Sequence, residues 1–126
     1  MIYKYKSNLS TVKLTNRCSI NGIKMNKIDV VIVGSGIAGI TTAYYLQKNH
    51  PNITYVIIEA RSDLGGTWDQ MKFPGVRSDT DMYTYGFSFN PWKGPIIGQG
   101  RDIKAYLVDT AKKFNKFRQL SFYTFY

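Results

Sequence analysis

The chain has 126 residues, of which 44% are hydrophobic, and a formal net charge of +9 at pH 7. This length allows one domain at most, and no window approaches the roughly 18 apolar residues of a membrane span. The single cysteine, Cys18, excludes an internal disulfide and a thiolate metal site, and it favours a reducing compartment, the cytoplasm. The lone histidine, His50, precedes Pro51 and is expected at a helix end, so no metal site is predicted.

The positive charge is concentrated in the first 27 residues, which carry six bases and no acid. The remainder carries eleven bases and eight acids and is therefore close to balanced. It also lacks a stripe of bases interleaved with stacking aromatic side chains, so nucleic acid is not predicted as a partner.

Residues 1–24 are polar and basic, and three interpretations compete for them. They could be a targeting segment, a tail that contacts anionic partners, or sequence upstream of a start at Met25. The third is favoured, because Met25 is followed at once by Asn-Lys-Ile-Asp and the first predicted strand. We therefore expect a disordered or non-native leader over residues 1–24 and a domain over residues 25–126.

The first strand is predicted at residues 28–33, whose continuous β-branched run is typical of a buried parallel strand. Gly34, Gly36 and Gly39 follow it with GxGxxG spacing. Gly34 permits a sharp exit from the strand, Gly36 lets a pyrophosphate approach the backbone, and Gly39 lets the next helix pack closely on the sheet. Amides at the start of that helix are expected to bind the phosphates.

The helix should end at residues 49–52, and its apolar stripe is expected to be core: Ile37, Ile40, Tyr44 and Leu46. A second strand at residues 53–58 leads to Glu59, where a carboxylate accepts the ribose hydroxyls of a dinucleotide. These parts together predict an α/β fold, a Rossmann-like βαβ unit with parallel strands. This agreement disfavours a glycine turn without a ligand, but it leaves NAD and FAD both open.

The next segment favours a flavin. Residues 61–69 read RSDLGGTWD, in which a glycine pair lets a second backbone segment pass close to the ligand and Trp68 offers a large flat surface. A simple dehydrogenase does not need these features, whereas a flavin ring must be walled in. Further on, a proline–glycine turn presents Arg77 and Asp79 on an extended loop. That loop could be a surface loop with a local ion pair or a polar lip over a redox ring.

Four pieces, GSGIAG, Glu59, LGGTWD and FPGVRSDTDMYTYGFSFNPW, occur in an order and spacing that resemble a known family. They are similar to the N-terminal flavin-binding part of class B flavoprotein monooxygenases, particularly the Baeyer–Villiger type, over about residues 25–120. The resemblance implies FAD as cofactor and NADPH as co-substrate. It implies oxygen insertion into small-molecule ketones, or oxidation of sulfur and nitrogen compounds. Residues 25–126 would then be a partial FAD-binding domain, incomplete relative to the family.

The resemblance also assigns site residues. Those implied for FAD are Gly34, Gly36, Ala38, Gly39, Glu59, Gly66, Thr67, Trp68, Asp69, Gln70 and Asp79. Of these, the first four match the pyrophosphate site, Glu59 the adenosine ribose site, and residues 67–70 the ribityl and ring site. Arg77, Ser78 and Asp79 match a loop that also meets NADPH. No catalytic residue is assigned, although Arg77 and Asp79 are candidates, and Phe73 stands where many relatives have tyrosine.

The remaining segments are predicted to support the site. The aromatic-rich residues 82–92 are expected to form core and lid packing, and residues 94–100 a loop. Asp102 is expected to cap a helix with lysines near its C-terminal end. The apolar stripe of that helix is Ile103, Tyr106, Leu107, Thr110, Phe114 and Phe117. Residues 120–126 could add another strand to the same sheet.

The sequence departs from the family in two respects. It lacks the second dinucleotide-binding unit, and it lacks the signature FxGxxxHxxxW, because no histidine follows His50. Two hypotheses follow. The chain is the FAD-binding portion of a flavin monooxygenase, truncated before the NADPH domain and inactive alone, or it is a nonfunctional fragment of a decayed or interrupted gene. A small NAD-binding module is disfavoured by the GGTW segment.

Overall fold

The computed structural model describes residues 19–20, 23–24, 28–114 and 120–122. None of the helices in this part of the chain is long and apolar enough to cross a membrane. The elements described are β1 (Ser19–Ile20), β2 (Ile23–Lys24), β3 (Val30–Val33), α1 (Ile37–Asn49), β4 (Tyr55–Glu59), α2 (Thr67–Gln70), α3 (Met82–Tyr85), α4 (Gly100–Lys113) and β5 (Leu120–Phe122).

The centre of the fold is a parallel sheet in which β4 lies between β3 and β5. β3 pairs with β4 over its whole length, with Val30 opposite Tyr55 and Val33 opposite Ile58. α1 connects these two strands, since parallel neighbours need a crossover, and the predicted Rossmann-like βαβ unit is confirmed. β5 confirms the last predicted strand for residues 120–122, whereas residues 123–126 lie outside the described residues.

The prediction of a buried strand was wrong for two residues of β3. Ile32 is buried on the side covered by α1, but Val31 and Val33 point the other way, and Val33 is 77% exposed. Successive side chains of a strand face opposite sides of the sheet, so a helix on one side covers only alternate residues. The β-branched run therefore identified the strand but not the cover on its second face.

α1 packs between two hydrophobic clusters. On one side Ala43 lies against the sheet, and on the other Ile40 joins residues from α4 and from residues 82–92. The expected stripe of α1 is thus at least half-buried throughout, and the helix ends before His50 as predicted. The cluster that contains Ile40, here called the second cluster, confirms the packing role of the aromatic-rich segment. It consists of Ile40, Met82, Phe87, Trp92, Ile103, Leu107 and Ala111.

α4 begins earlier than the sequence suggested. Its N-cap is Gln99, and Asp102 lies inside the first turn, so the prediction of Asp102 as the cap was wrong. The Gly100 amide donates to the Val76 carbonyl at 2.9 Å, and a Cβ on residue 100 would lie 2.8 Å from Val76 Cγ1. This close backbone approach starts the helix at the glycine. Its apolar stripe is buried as predicted at Ile103 and Leu107, whereas residues 116 and 117 lie outside the described residues.

Part of the predicted leader contains a short antiparallel pair. β1 and β2 align Ile20 with Ile23, a pairing that was not predicted. The two residues between them are Asn21 and Gly22, a dipeptide that strongly favours hairpin turns. Residues 1–18 lie outside the described residues, so the boundary at residue 25 stays a prediction.

The fully buried Leu107 provides a test of the second cluster. We expect Leu107→Ala to lower the free energy of unfolding by about 2–5 kcal/mol, because it leaves a cavity between α4 and α1. Urea unfolding followed by circular dichroism measures this change. Lys112→Ala, an exposed position of the same helix, is the control and should have little effect. Equal midpoints for the two variants would show that the cluster does not stabilise the chain.

Candidate functional site

The first glycine turn joins β3 to α1. Gly34 has φ of +92°, a backbone conformation that favours glycine, and its amide donates to the Ile58 carbonyl at 2.7 Å. A Cβ on Gly39 would lie 2.0 Å from the Gly34 carbonyl oxygen. α1 can therefore approach the end of the strand only because residue 39 lacks a side chain, which is the packing role predicted for it.

The start of α1 can accept an anion. Its N-cap is Gly36, no side chain of the described residues caps it, and its first turn contains no acid. The amides of Ile37 and Ala38 have no partner within the helix, and Ala38 is exposed. Free N–H groups and the positive end of the helix dipole together favour a negatively charged ligand such as phosphate.

Glu59, at the end of β4, is tied to the same turn. One carboxylate oxygen, Oε2, accepts hydrogen bonds from the Ser35 amide at 2.8 Å and the Ser35 hydroxyl at 2.7 Å. The other, Oε1, accepts from the Arg61 amide at 3.0 Å. Burial disfavours the charged carboxylate, but these hydrogen bonds outweigh burial, so the pKa of Glu59 lies below its usual value. Glu59 is therefore ionised at neutral pH, although its residue is only 6% exposed.

The second glycine turn packs directly on the first. The Gly65 amide donates to the Ser35 carbonyl at 3.2 Å. A Cβ on Gly66 would lie 3.0 Å from Gly36 Cα, and Gly65 and Gly66 have φ of +130° and +56°. The two turns meet backbone to backbone because both lack side chains there. The structure thus brings the two predicted glycine motifs and Glu59 into one site.

Arg61 holds the second turn from the side of Glu59. Its Nη1 donates to the Gly66 carbonyl at 3.1 Å, and its Nη2 donates to Gln70 Oε1 at 2.7 Å. Since its own amide binds Glu59, Arg61 links the acid at the end of β4 to the glycine pair and to α2. Gln70, a predicted flavin contact, has its amide oxygen engaged with Arg61.

The other candidates of α2 differ in their surroundings. Thr67 is exposed. Trp68 packs edge-to-face against Tyr85 and donates from Nε1 to the Tyr85 hydroxyl at 3.1 Å. Asp69 is buried and accepts a hydrogen bond from Lys104 at 2.7 Å. The contacts of the predicted ribityl and ring residues therefore fix α2 in place and leave Thr67 facing solvent.

Residues 77–79 attach to another part of the chain. The Ser78 amide donates to the Gly98 carbonyl at 2.9 Å, the Ser78 hydroxyl accepts from the Gly98 amide at 3.1 Å, and Arg77 forms an antiparallel bridge with Gln99. Arg77 and Asp79 are exposed, and no ion pair joins them in the described structure. Among the described residues, no hydrogen bond connects this loop to either glycine turn. Its predicted contact with flavin and NADPH stays a prediction.

Three residues that organise the site were missed by the sequence reasoning. Ser35 lies inside the GxGxxG motif, and Arg61 follows Glu59 by two positions, so their placement could have drawn attention to them. Lys104 is 35 residues from Asp69 and carried no local signal.

The chain is similar in sequence to a known domain family and to FAD-containing monooxygenases. The profile of the NAD(P)-binding Rossmann-like domain matches residues 32–94. The chain is 46% identical over 97 residues to FAD-containing monooxygenase EthA of Mycobacterium tuberculosis. The aligned region covers 76% of this chain and 20% of that protein. It is 51% identical over 86 residues to EthA of Mycolicibacterium smegmatis, covering 68% of the chain and 18% of that protein. The chain thus spans about a fifth of the length of these relatives.

Solved structures give the same result. An oxidised steroid monooxygenase bound to NADP superposes with a TM-score of 0.67 and 32% identity, over 73% of this chain and 18% of that one. The OTEMO complex with FAD and NADP superposes with a TM-score of 0.65 and 28% identity, with the same coverage. The chain is therefore similar to the flavin-binding region of class B flavin monooxygenases in sequence and in fold.

The bond between Ser35 and Glu59 predicts a pH dependence. Because the folded-state pKa of Glu59 is lowered, its stabilising contribution is present above the unfolded value of about 4.3 and is lost as pH falls through the folded value. We expect Ser35→Ala to raise the pKa of Glu59 and to lower the free energy of unfolding at pH 7 by about 1–3 kcal/mol. The loss should be smaller at pH 3.

Urea unfolding at the two pH values, with NMR titration of the Glu59 carboxyl, measures these changes. Ser62→Ala, at an exposed serine close by in sequence, is the control. An equal loss of stability at both pH values would contradict the role of the Ser35 hydroxyl.

Proposed function

This chain belongs to the family of NAD(P)-binding Rossmann-like domains, and on that premise we propose that it forms the FAD-binding part of a flavin monooxygenase that uses NADPH and oxygen. The observation that carries the proposal is the backbone contact between Gly36 and Gly66, next to an uncapped helix start and an ionised Glu59. A generic dinucleotide site needs the first glycine turn alone. A second turn against it provides a backbone wall for a longer ligand.

The amides at the start of α1 and the carboxylate of Glu59 fit the two ends of the pyrophosphate–ribose portion of FAD. Ile37 and Ala38 offer N–H groups to phosphate at the positive end of α1. A carboxylate can accept about four hydrogen bonds. Glu59 accepts three from Ser35 and Arg61, so Oε1 has room for a donor such as a ribose hydroxyl. When bound, FAD would supply the redox chemistry, and these residues would hold and orient it.

The further assignments follow the course of the chain past the second turn. We propose that Gly66 and residues 67–70 line the ribityl and ring end, with Thr67 as the exposed hydroxyl there and Trp68 held by Tyr85. Residues 77–79 would meet the flavin and NADPH. The similarity to FAD-containing monooxygenases supports a small-molecule substrate. We propose that this substrate is a ketone or a sulfur or nitrogen compound, and that the protein is cytoplasmic, which the single cysteine supports.

A negative charge at the start of α1 tests the phosphate site. We expect Ala38→Asp to leave the fold stable, since the helix dipole favours an acid there, but to oppose phosphate binding. A carboxylate about 5 Å from a phosphate opposes it by about 1–3 kcal/mol, so FAD affinity should fall about 10–100-fold. Quenching of flavin fluorescence on titration measures the affinity.

Ala38→Asn is the matched control, because asparagine has nearly the same size as aspartate but no charge. If both variants bind FAD like the unmodified chain, the start of α1 is not the phosphate site. Failure of the unmodified chain to bind FAD at all would favour the other hypothesis, a product without activity of its own.

The sequence contains one GxGxxG unit, which FAD would occupy. We therefore expect the visible absorption of FAD held by this chain to persist when NADPH is added, because no second such unit is present to hold the nicotinamide donor. Bleaching by dithionite confirms in the same cuvette that the bound flavin can be reduced. Rapid bleaching by NADPH would show that the chain itself carries out hydride transfer.

A further inference from the structure

The second glycine turn is flanked by two acids that both form an ion pair with the same lysine side chain. Lys104, on α4, places Nζ 2.7 Å from Asp63 Oδ2 and 2.7 Å from Asp69 Oδ1. Asp63 precedes the glycine pair and Asp69 follows it on α2. A single side chain from a distant helix therefore joins the entry and the exit of the turn.

The methylene groups of the Lys104 side chain also lie against the second glycine turn. A Cβ on Gly65 would lie 3.3 Å from Lys104 Cγ, and the Gly65 amide donates to the Ser35 carbonyl at 3.2 Å. Gly65 thus lies beside both Lys104 and the first glycine turn. Since glycine pairs are conformationally free in an unconstrained chain, such a turn keeps one conformation only where its surroundings hold it.

Asp69 requires this partner. Its side chain is 9% exposed, and a buried carboxylate is stabilised only by a well-placed partner. Lys72 lies 3.9 Å away on an exposed side chain and screens Asp69 less than Lys104 does. The hydrogen bonds that Lys104 donates, first to Asp63 and then to Asp69, raise the pKa of Lys104, so it stays charged at neutral pH.

We infer that Lys104 is a positioning residue for the cofactor, one that bridges Asp63 and Asp69 and so holds Gly65 and Gly66 against the first glycine turn. The inference rests on the proposed FAD site, because Gly66 and α2 are the parts that would line the ligand. Arg61 fixes the Gly66 carbonyl from the other side. Lys104 acts through the turn, and its effect should appear in the turn before any ligand is added.

The first measurement needs no flavin. Amide hydrogen exchange at Gly65, followed by NMR in the full chain, reports the bond to Ser35. We expect Lys104→Met to speed this exchange roughly tenfold, since charge-assisted hydrogen bonds are the stronger kind. Lys104→Arg, which retains a cation for both acids, should restore most of the protection. Lys112→Met, at an exposed position of the same helix, should leave it unchanged. Unaltered exchange in Lys104→Met would overturn the inference.

The second measurement is FAD affinity by fluorescence titration. We expect Lys104→Met to weaken binding roughly tenfold, corresponding to loss of about 1.4 kcal/mol. The double variant Lys104→Met with Asp69→Asn removes the unpaired buried charge, so its stability should recover while its affinity stays below that of Asp69→Asn alone, the reference for any direct effect of Asp69 on the flavin. If that double variant regains full affinity, Lys104 merely neutralises Asp69 and the inference is wrong. If the unmodified chain binds no FAD, the proposed function fails, and Gly65 exchange still decides the role of Lys104.

Discussion

The backbone contact between the two glycine turns is the constraint on which the site depends. Ser35 is at its centre: its amide and hydroxyl bind Glu59, and its carbonyl accepts the Gly65 amide. Any side chain at Gly66 would be forced against Gly36. β3, β4 and the second turn are therefore held together at one point by a residue that is 1% exposed. Loss of this contact would separate the acid, the helix start and α2.

Charged groups hold this contact in place from two sides. Arg61 connects Glu59 to the Gly66 carbonyl, and Lys104 connects Asp63 to Asp69 across the glycine pair. Hydrogen bonds in which the donor or the acceptor is ionised are stronger than those between neutral groups, which suits positions where glycine provides no side chain to pack. The flexibility that lets two backbones meet is thus offset by fixed charges around them.

The elements differed in how far the sequence predicted them. The βαβ unit, the end of α1 before His50 and the packing of residues 82–92 followed from periodicity and turn residues, which act locally. The prediction for β3 was wrong at Val33 because burial depends on what covers each face. The cap of α4 was wrong because a contact between Gly100 and Val76, distant in sequence, decides where the helix begins. The β1–β2 pair was missed although Asn21-Gly22 signals a hairpin.

The sequence by itself determined the order of strand, glycine turn, helix, strand and acid, and through it the fold; its motifs also carried the resemblance to flavin monooxygenases. Those features follow from spacing along the chain, since backbone conformation and helix or strand period are set by near neighbours. Only the tertiary structure decided that the two glycine turns touch, that Glu59 binds Ser35, and that Lys104 binds both Asp63 and Asp69. Such contacts join residues tens of positions apart, and no local pattern encodes which distant side chain will lie beside a given turn.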